Sequence, residues 1–275
     1  MRYLSACLLW LSCHLPALAQ ADMTRIVAHA PGLYDIEVRF DPALAEFSDI
    51  HSALLADELE GVSELAQLAI ADHARWLADA PEWSWNGYFS STEIRVAFAG
   101  QGVISLSRAT NYYTGGAHPN QGLAPLLTRD ARYEPVELAA LFADPAIDSP
   151  AMTALFYAVY RELMALKRER LGDDFDESME RETWMASLAA DPEAFPGFTL
   201  IPNRSGDAAA GLMFLFEPYH VGSYAEGSYE VPVPLSVFAD FLAADWADVF
   251  EGLPELDVLT APGDELEPIV SSSSE

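Results

Sequence analysis

Between residues 34 and 40 apolar and polar side chains alternate, with Tyr34, Ile36, Val38 and Phe40 set against Asp35, Glu37 and Arg39. A period of two predicts a strand with one buried face, and Asp41-Pro42 ends it. Residues 22–32, ahead of that strand, read as a short lead-in. The period then changes. Leu55, Leu59, Val62, Ala66, Ala69 and His73 fall three and four residues apart, the spacing of an amphipathic helix, which Ala80-Pro81 stops. Alternation returns at Ile94, Val96 and Phe98. Gly100-Gln101-Gly102 then looks like a hairpin turn leading to a partner strand over 103–107, and residues 111–122 read as a glycine-containing loop. Helices are expected over 136–142, over 152–171, where Leu155, Val159, Leu163 and Leu166 form a stripe, and over 181–190. Short apolar runs at 198–202, 211–217 and 229–233 read as strands, and residues 234–242 as a helix with Pro234 in its first turn.

Strands and helices in blocks, joined by short turns, predict an α+β fold of antiparallel sheets with helices packed on one side. Apolar residues make up 51% of the chain, enough for a substantial core. The expected organisation is a signal peptide over 1–19, an N-terminal α+β subdomain over 22–130, a C-terminal subdomain over 131–250, and a Pro-rich acidic tail over 251–275 that reads as disordered.

The first residues have the layout of a secretory signal: Arg2, an apolar core from Leu4 to Leu11, Pro16, and an Ala17-Leu18-Ala19 cleavage site, with Ala19-Gln20-Ala21 an equally acceptable frame. The core is too short to span a bilayer, so no transmembrane segment is expected in the mature chain. Cys7 lies too close to Met1 for a lipobox and Cys13 matches one poorly, which argues against lipid anchoring. Both cysteines fall inside the signal, so the mature chain offers no disulfide, thiol nucleophile or thiolate metal site. The expected location is the periplasm or the exterior.

Charge narrows the partners. The chain carries 14 basic and 43 acidic residues, a formal net charge of −29. Nucleic acid and anionic lipid are poor partners for such a surface. A cationic partner would be steered toward it.

Candidate chemistry is sparse. Ser223 near His220 lacks a Gly-x-Ser-x-Gly elbow. His118, His220 and a carboxylate would suffice for zinc, but no His-Glu-x-x-His is present. The acidic run Asp173-Asp174-Phe175-Asp176-Glu177 lacks the spacing of a calcium loop and reads as a solvated helix start. Trp76, Trp83 and Trp85 flank a Pro-Glu turn, where indole faces can stack on sugar rings or fill a core. No cofactor and no metal are expected, and binding is expected ahead of catalysis.

Two segments are distinctive. The first is Asn111-Tyr112-Tyr113-Thr114-Gly115-Gly116-Ala117-His118-Pro119-Asn120. The second runs from Phe214 through Glu217-Pro218-Tyr219-His220-Val221-Gly222-Ser223-Tyr224-Ala225-Glu226-Gly227 into a Val231-Pro232-Val233-Pro234 strand. Aromatic rings beside glycine turns either brace a loop or present flat faces to a ligand. Paired in this order, the two segments resemble the hallmarks of the RsiV-like extracytoplasmic domain family. That domain is shared by the anti-sigma factor RsiV, the N-terminal region of the peptidoglycan deacetylase PdaC and a mycobacterial secreted antigen. The resemblance covers roughly residues 33–242.

The resemblance implies an α+β fold in the cell envelope and a binding role. In RsiV the domain senses lysozyme, so lysozyme or another cationic protein is the implied partner, with peptidoglycan a second. Tyr112, Tyr113, Gly115, Gly116, His118, Tyr219, His220, Tyr224 and Gly227 are the implied contacts. A glycan hydrolase or deacetylase, and a structural envelope module, stay open as alternatives. The chain departs from the family in beginning with a signal-like segment and in lacking room for a separate deacetylase domain. Pro119 stands where glycine is more usual, and Ser223 and Glu226 stand where Pro and Ala are.

Overall fold

In a computed structural model the described residues are 20–21, 24–79, 82, 84–130 and 132–254. The signal-like segment and residues 255–275 of the acidic tail lie outside them. Among the described residues ten strands form two sheets. The larger has seven strands: β1 (Gln20–Ala21), β2 (Arg25–Ala30), β3 (Tyr34–Phe40), β4 (Tyr88–Gly100), β5 (Val103–Tyr113), β6 (Asn120–Leu123) and β7 (Leu126–Arg129), with β6 and β7 both paired to β5. The smaller is a meander of β8 (Phe198–Pro202), β9 (Ala209–Phe216) and β10 (Tyr229–Pro234).

The α+β class is observed, and among the named strands of the described residues one pair is parallel and the others antiparallel. β3 and β4 pair in parallel because the helix α1 (Ser48–Asp79) carries the chain back across the sheet between them. Ile50, Leu54, Val62, Ala66 and Ala69 of α1 share one apolar cluster with Ile26, Ile36, Val38, Phe40 and Ile94 of the sheet. Burying each large aliphatic side chain contributes about 1.5–3 kcal/mol. The opposite face of β3 stays polar, where buried Glu37 accepts from both Arg25 and Arg39 at 2.7 Å.

The second cluster gathers around α2 (Pro150–Leu171), whose Met152, Leu155, Val159 and Leu163 pack with Leu212, Phe214, Phe216 and Val231 of the small sheet. Ser149 caps α2, accepting from the Met152 N–H at 3.3 Å, and the chain leaves it through Gly172 at φ +55°. Phe98 and Val103, at the tip of the β4–β5 hairpin, belong to this second cluster. There the Ser105 hydroxyl accepts from the Leu200 N–H at 2.9 Å, tying β5 to β8. The hairpin turns at Gln101 and Gly102, both with positive φ (51° and 75°), the backbone of a type I′ turn.

Several elements differ from the sequence expectation. The lead-in contains a strand, β2, whose inward residues Ile26 and Ala28 give too short an alternation to stand out. α1 starts at Ser48. Residues 136–142 and 234–242 form 3-10 turns. In the latter, Leu235, Phe238 and Phe241 recur every three residues, which suits three residues per turn. The helix expected over 181–190 is instead α3 (Glu177–Glu182). It stops where the Thr183 hydroxyl donates back to the Met179 carbonyl at 2.6 Å. Asp176 caps α3, and the bonds it accepts from the Ser178 hydroxyl first, then from the Met179 and Ser178 N–H groups, hold its pKa below the usual carboxylate range.

Candidate functional site

The first distinctive segment is a hairpin. Tyr112 and Tyr113 complete β5, and Tyr112 pairs with Asn120 on β6. The ring of Tyr113 stacks on Phe89 of β4 at 6.1 Å, and its hydroxyl donates to the Gly116 carbonyl at 3.0 Å. Gly115 and Gly116 take φ of +98° and +108°, a region that side chains other than glycine's rarely tolerate. Neither has any other atom near the place a Cβ would occupy. The turn delivers His118 to the start of β6. Its Nδ1 lies 2.7 Å from the Pro119 carbonyl, which can only accept, so Nδ1 carries the proton of the neutral ring.

The second segment, residues 217–228, is fixed from beneath by charge. Lys167, on the inward stripe of α2, is completely buried. Its ammonium donates to Glu226 Oε2 at 2.5 Å and to the Val221 carbonyl at 2.8 Å, and lies 2.9 Å from Glu180 Oε2 of α3. Glu226 Oε2 also accepts from the Tyr229 hydroxyl at 2.8 Å, and Oε1 from the Ser223 N–H at 2.6 Å, closing a capping box. Burial pushes the Glu226 carboxyl up, but these bonds and the lysine charge outweigh it and hold the pKa below its ordinary value. Arg170 donates to the Glu226 carbonyl and, at 2.7 Å, to the Ser228 carbonyl. Gly222 lies against this carboxylate, and a Cβ there would stand 2.5 Å from Glu226 Oε2. Gly227, at φ +72°, turns the chain out into β10.

The two segments meet. The His118 ring stacks on Tyr224 with centroids 4.0 Å apart and planes 27° from parallel. Tyr219 lies 5.8 Å from Tyr224 at 31°, and its hydroxyl sits 3.3 Å from His118 Nε2. With the proton on Nδ1, Nε2 is the acceptor and Tyr219 the donor. Tyr219 is 54% exposed and holds φ +70°, an unusual backbone for a ring-bearing residue. A further tie runs between the segments: Glu217 Oε1 accepts from the Leu123 N–H at 2.6 Å. The structure thus brings together His118, Tyr219 and Tyr224. Tyr112 and Tyr113 stay on the sheet beside them, and Gly115, Gly116 and Gly227 shape the backbone.

His220 sets its ring edge-on to Phe216 at 5.2 Å, where desolvation lowers its pKa against the opposing charge of Glu217. Among the described residues no three His, Asp or Glu side chains are grouped to hold a metal. Trp76 and Trp85 are half-buried and pack around His73, and the Trp85 indole N–H donates to the Gly32 carbonyl at 3.0 Å. Trp83 lies outside the described residues. No described helix is long and apolar enough to cross a membrane.

Lys167, Glu180 and Arg170 were not singled out by the sequence, and Glu226 entered only as a departure from the family. One signal was present: Lys167 follows Leu163 by four residues and Met164 by three, which places it on the buried stripe of α2.

A family described as "Protein of unknown function (DUF3298)" matches residues 140–236, a stretch that holds Lys167 and the second loop but not the first. Among solved structures, a DUF3298 family member from Bacteroides fragilis is 16% identical with a TM-score of 0.54, over 77% of this chain and 86% of that one. A DUF3298 family protein from Pseudomonas aeruginosa is 12% identical with a TM-score of 0.43, over 86% of this chain and 95% of that one. No curated protein matches the chain. At such identities the likeness to the Bacteroides protein is one of fold.

Proposed function

We propose that this chain is an exported RsiV-like domain that binds a cationic protein of the cell envelope, lysozyme being the first candidate, through its two paired loops. One observation carries the reading. His118 and Tyr219, 101 residues apart, close an aromatic cluster with an exposed ring on a chain whose formal net charge is −29. Aromatic anchors supply much of the energy of protein interfaces. Opposite net charge speeds encounter and favours the right partner. The signal-like N-terminus supports a periplasmic or secreted setting.

Binding fits better than hydrolysis because the rings of the two loops are engaged with one another and with the core: His118 stacks on Tyr224 and lies against the Tyr219 hydroxyl, and His220 packs edge-on to Phe216. Calorimetry of the chain without residues 1–19 against hen lysozyme, at low salt and at about 0.15 M, tests the reading. Saturable binding that persists at the higher salt is the expected result. Heat that vanishes with salt reduces the attraction to bulk charge, and absence of binding at both removes lysozyme as the partner.

A further inference from the structure

We propose that the His118–Tyr219–Tyr224 cluster is a seat for a single guanidinium or ammonium group, held over the ring faces by cation–π attraction. The inference rests on the binding role proposed above and assigns the chemistry of its contact. In the neutral tautomer two of the cluster's proton donors are spent inside it. His118 Nδ1–H is turned to the Pro119 carbonyl, and the Tyr219 O–H is turned to His118 Nε2. Beside the Tyr224 hydroxyl, what it offers is phenol oxygen lone pairs and ring faces, with Tyr219 54% exposed. The negative face of such a ring attracts a cation within about 6 Å of its centroid.

The rings are also held ready. Tyr224 sits on the turn capped by Glu226, whose carboxylate is anchored to buried Lys167. Tyr219 occupies a left-handed backbone position that the surrounding bonds must maintain, and strain of this kind gathers at ligand-binding sites. A preorganised ring pair loses little freedom when a ligand arrives. The same chain already pairs a guanidinium with a tyrosine face elsewhere, Arg170 lying 4.0 Å from the Tyr229 centroid. Among the described residues no arginine or lysine lies over the Tyr219 or Tyr224 ring.

The test is an NMR titration of the chain without residues 1–19, using N-acetylarginine amide as probe and the uncharged, nearly isosteric N-acetylcitrulline amide as control. Saturable shifts of the His118, Tyr219 and Tyr224 ring protons are expected with the arginine probe. Its affinity should exceed that of citrulline roughly twofold to thirtyfold, the range of a cation–π contact, and the shifts should disappear in Tyr224→Leu and weaken in Tyr219→Leu. Equal response to both probes, or shifts confined to other residues, overturns the proposal. Lysozyme binding that Tyr224→Leu and Tyr219→Leu leave unchanged also overturns it, and moves the contact with a cationic partner to another surface. Arginine-specific shifts in a chain that ignores lysozyme uphold the seat and refute that partner.

Discussion

The two loops place rings in one cluster but are held by opposite physics. Residues 114–119 are a hairpin tip kept in shape by their own backbone and by Tyr113, with open space around Gly115 and Gly116. Residues 217–228 lie on a buried carboxylate gripped by a buried lysine, with no space at all beside Gly222. Glycine serves conformation in the first loop and volume in the second. A motif rich in glycine and tyrosine therefore does not announce which part is soft and which is rigid; that depends on what lies under it.

The contrast can be broken from the rigid side first. Lys167→Met leaves Glu180 and Glu226 buried without their cation and is expected to cost about 3–5 kcal/mol, read from urea unfolding. Next is Gly222→Ala, which forces the Glu226 carboxylate aside. A loss of about 1–3 kcal/mol is expected, together with dispersion of the His118–Tyr224 ring shifts in NMR. On the soft side, Gly116→Ala strains only a positive-φ residue in open space, so the expected loss is about 1–2 kcal/mol in the same unfolding assay.

Acid should separate the loops as well. The folded pKa of Glu226 lies below its ordinary value of 4.5, so its contribution is present above that value and is lost as pH falls through the folded pKa. Melting temperature is expected to drop on acidification below about pH 4.5, and less so in Glu226→Gln. The smallest change in stability should come from Tyr219→Gly. Relief of the left-handed backbone, about 1 kcal/mol, is offset by the entropy glycine adds to the unfolded chain. Stability is expected to stay within about 0.5 kcal/mol while partner binding falls, seen by melting and calorimetry side by side.

Much of the frame was legible because its side chains repeat. Tyr34 to Phe40 alternate, α2 carries a four-residue stripe, and β8 to β10 are short apolar runs. The parallel pairing of β3 and β4 was not, since alternation says nothing of strand direction. Residues 111–122 read as a loop because both faces of that hairpin are partly exposed, which erases the period of two. At the site, the rings and glycines were picked out but not the meeting of the loops, which depends on contacts 101 residues apart. Glu226 reads as an odd residue in a loop until Lys167 is seen beneath it, and a single lysine in an apolar stripe is easily taken for one whose tip reaches water.

The crossover helix between β3 and β4 also bears on the order of assembly. The small meander joins neighbours in sequence, whereas the β3–β4 pair must close a loop that contains the 32 residues of α1, and such closure is slow. The meander, with α2 and its buried lysine, is therefore expected to gain protection first in pulse-labelled hydrogen exchange, and the seven-stranded sheet later. Equal protection rates in β9 and β4 would rule that order out. If the order holds, the second loop is set before the hairpin that brings His118 has formed, and ring stacking on Tyr224 becomes a late event that reports completed folding.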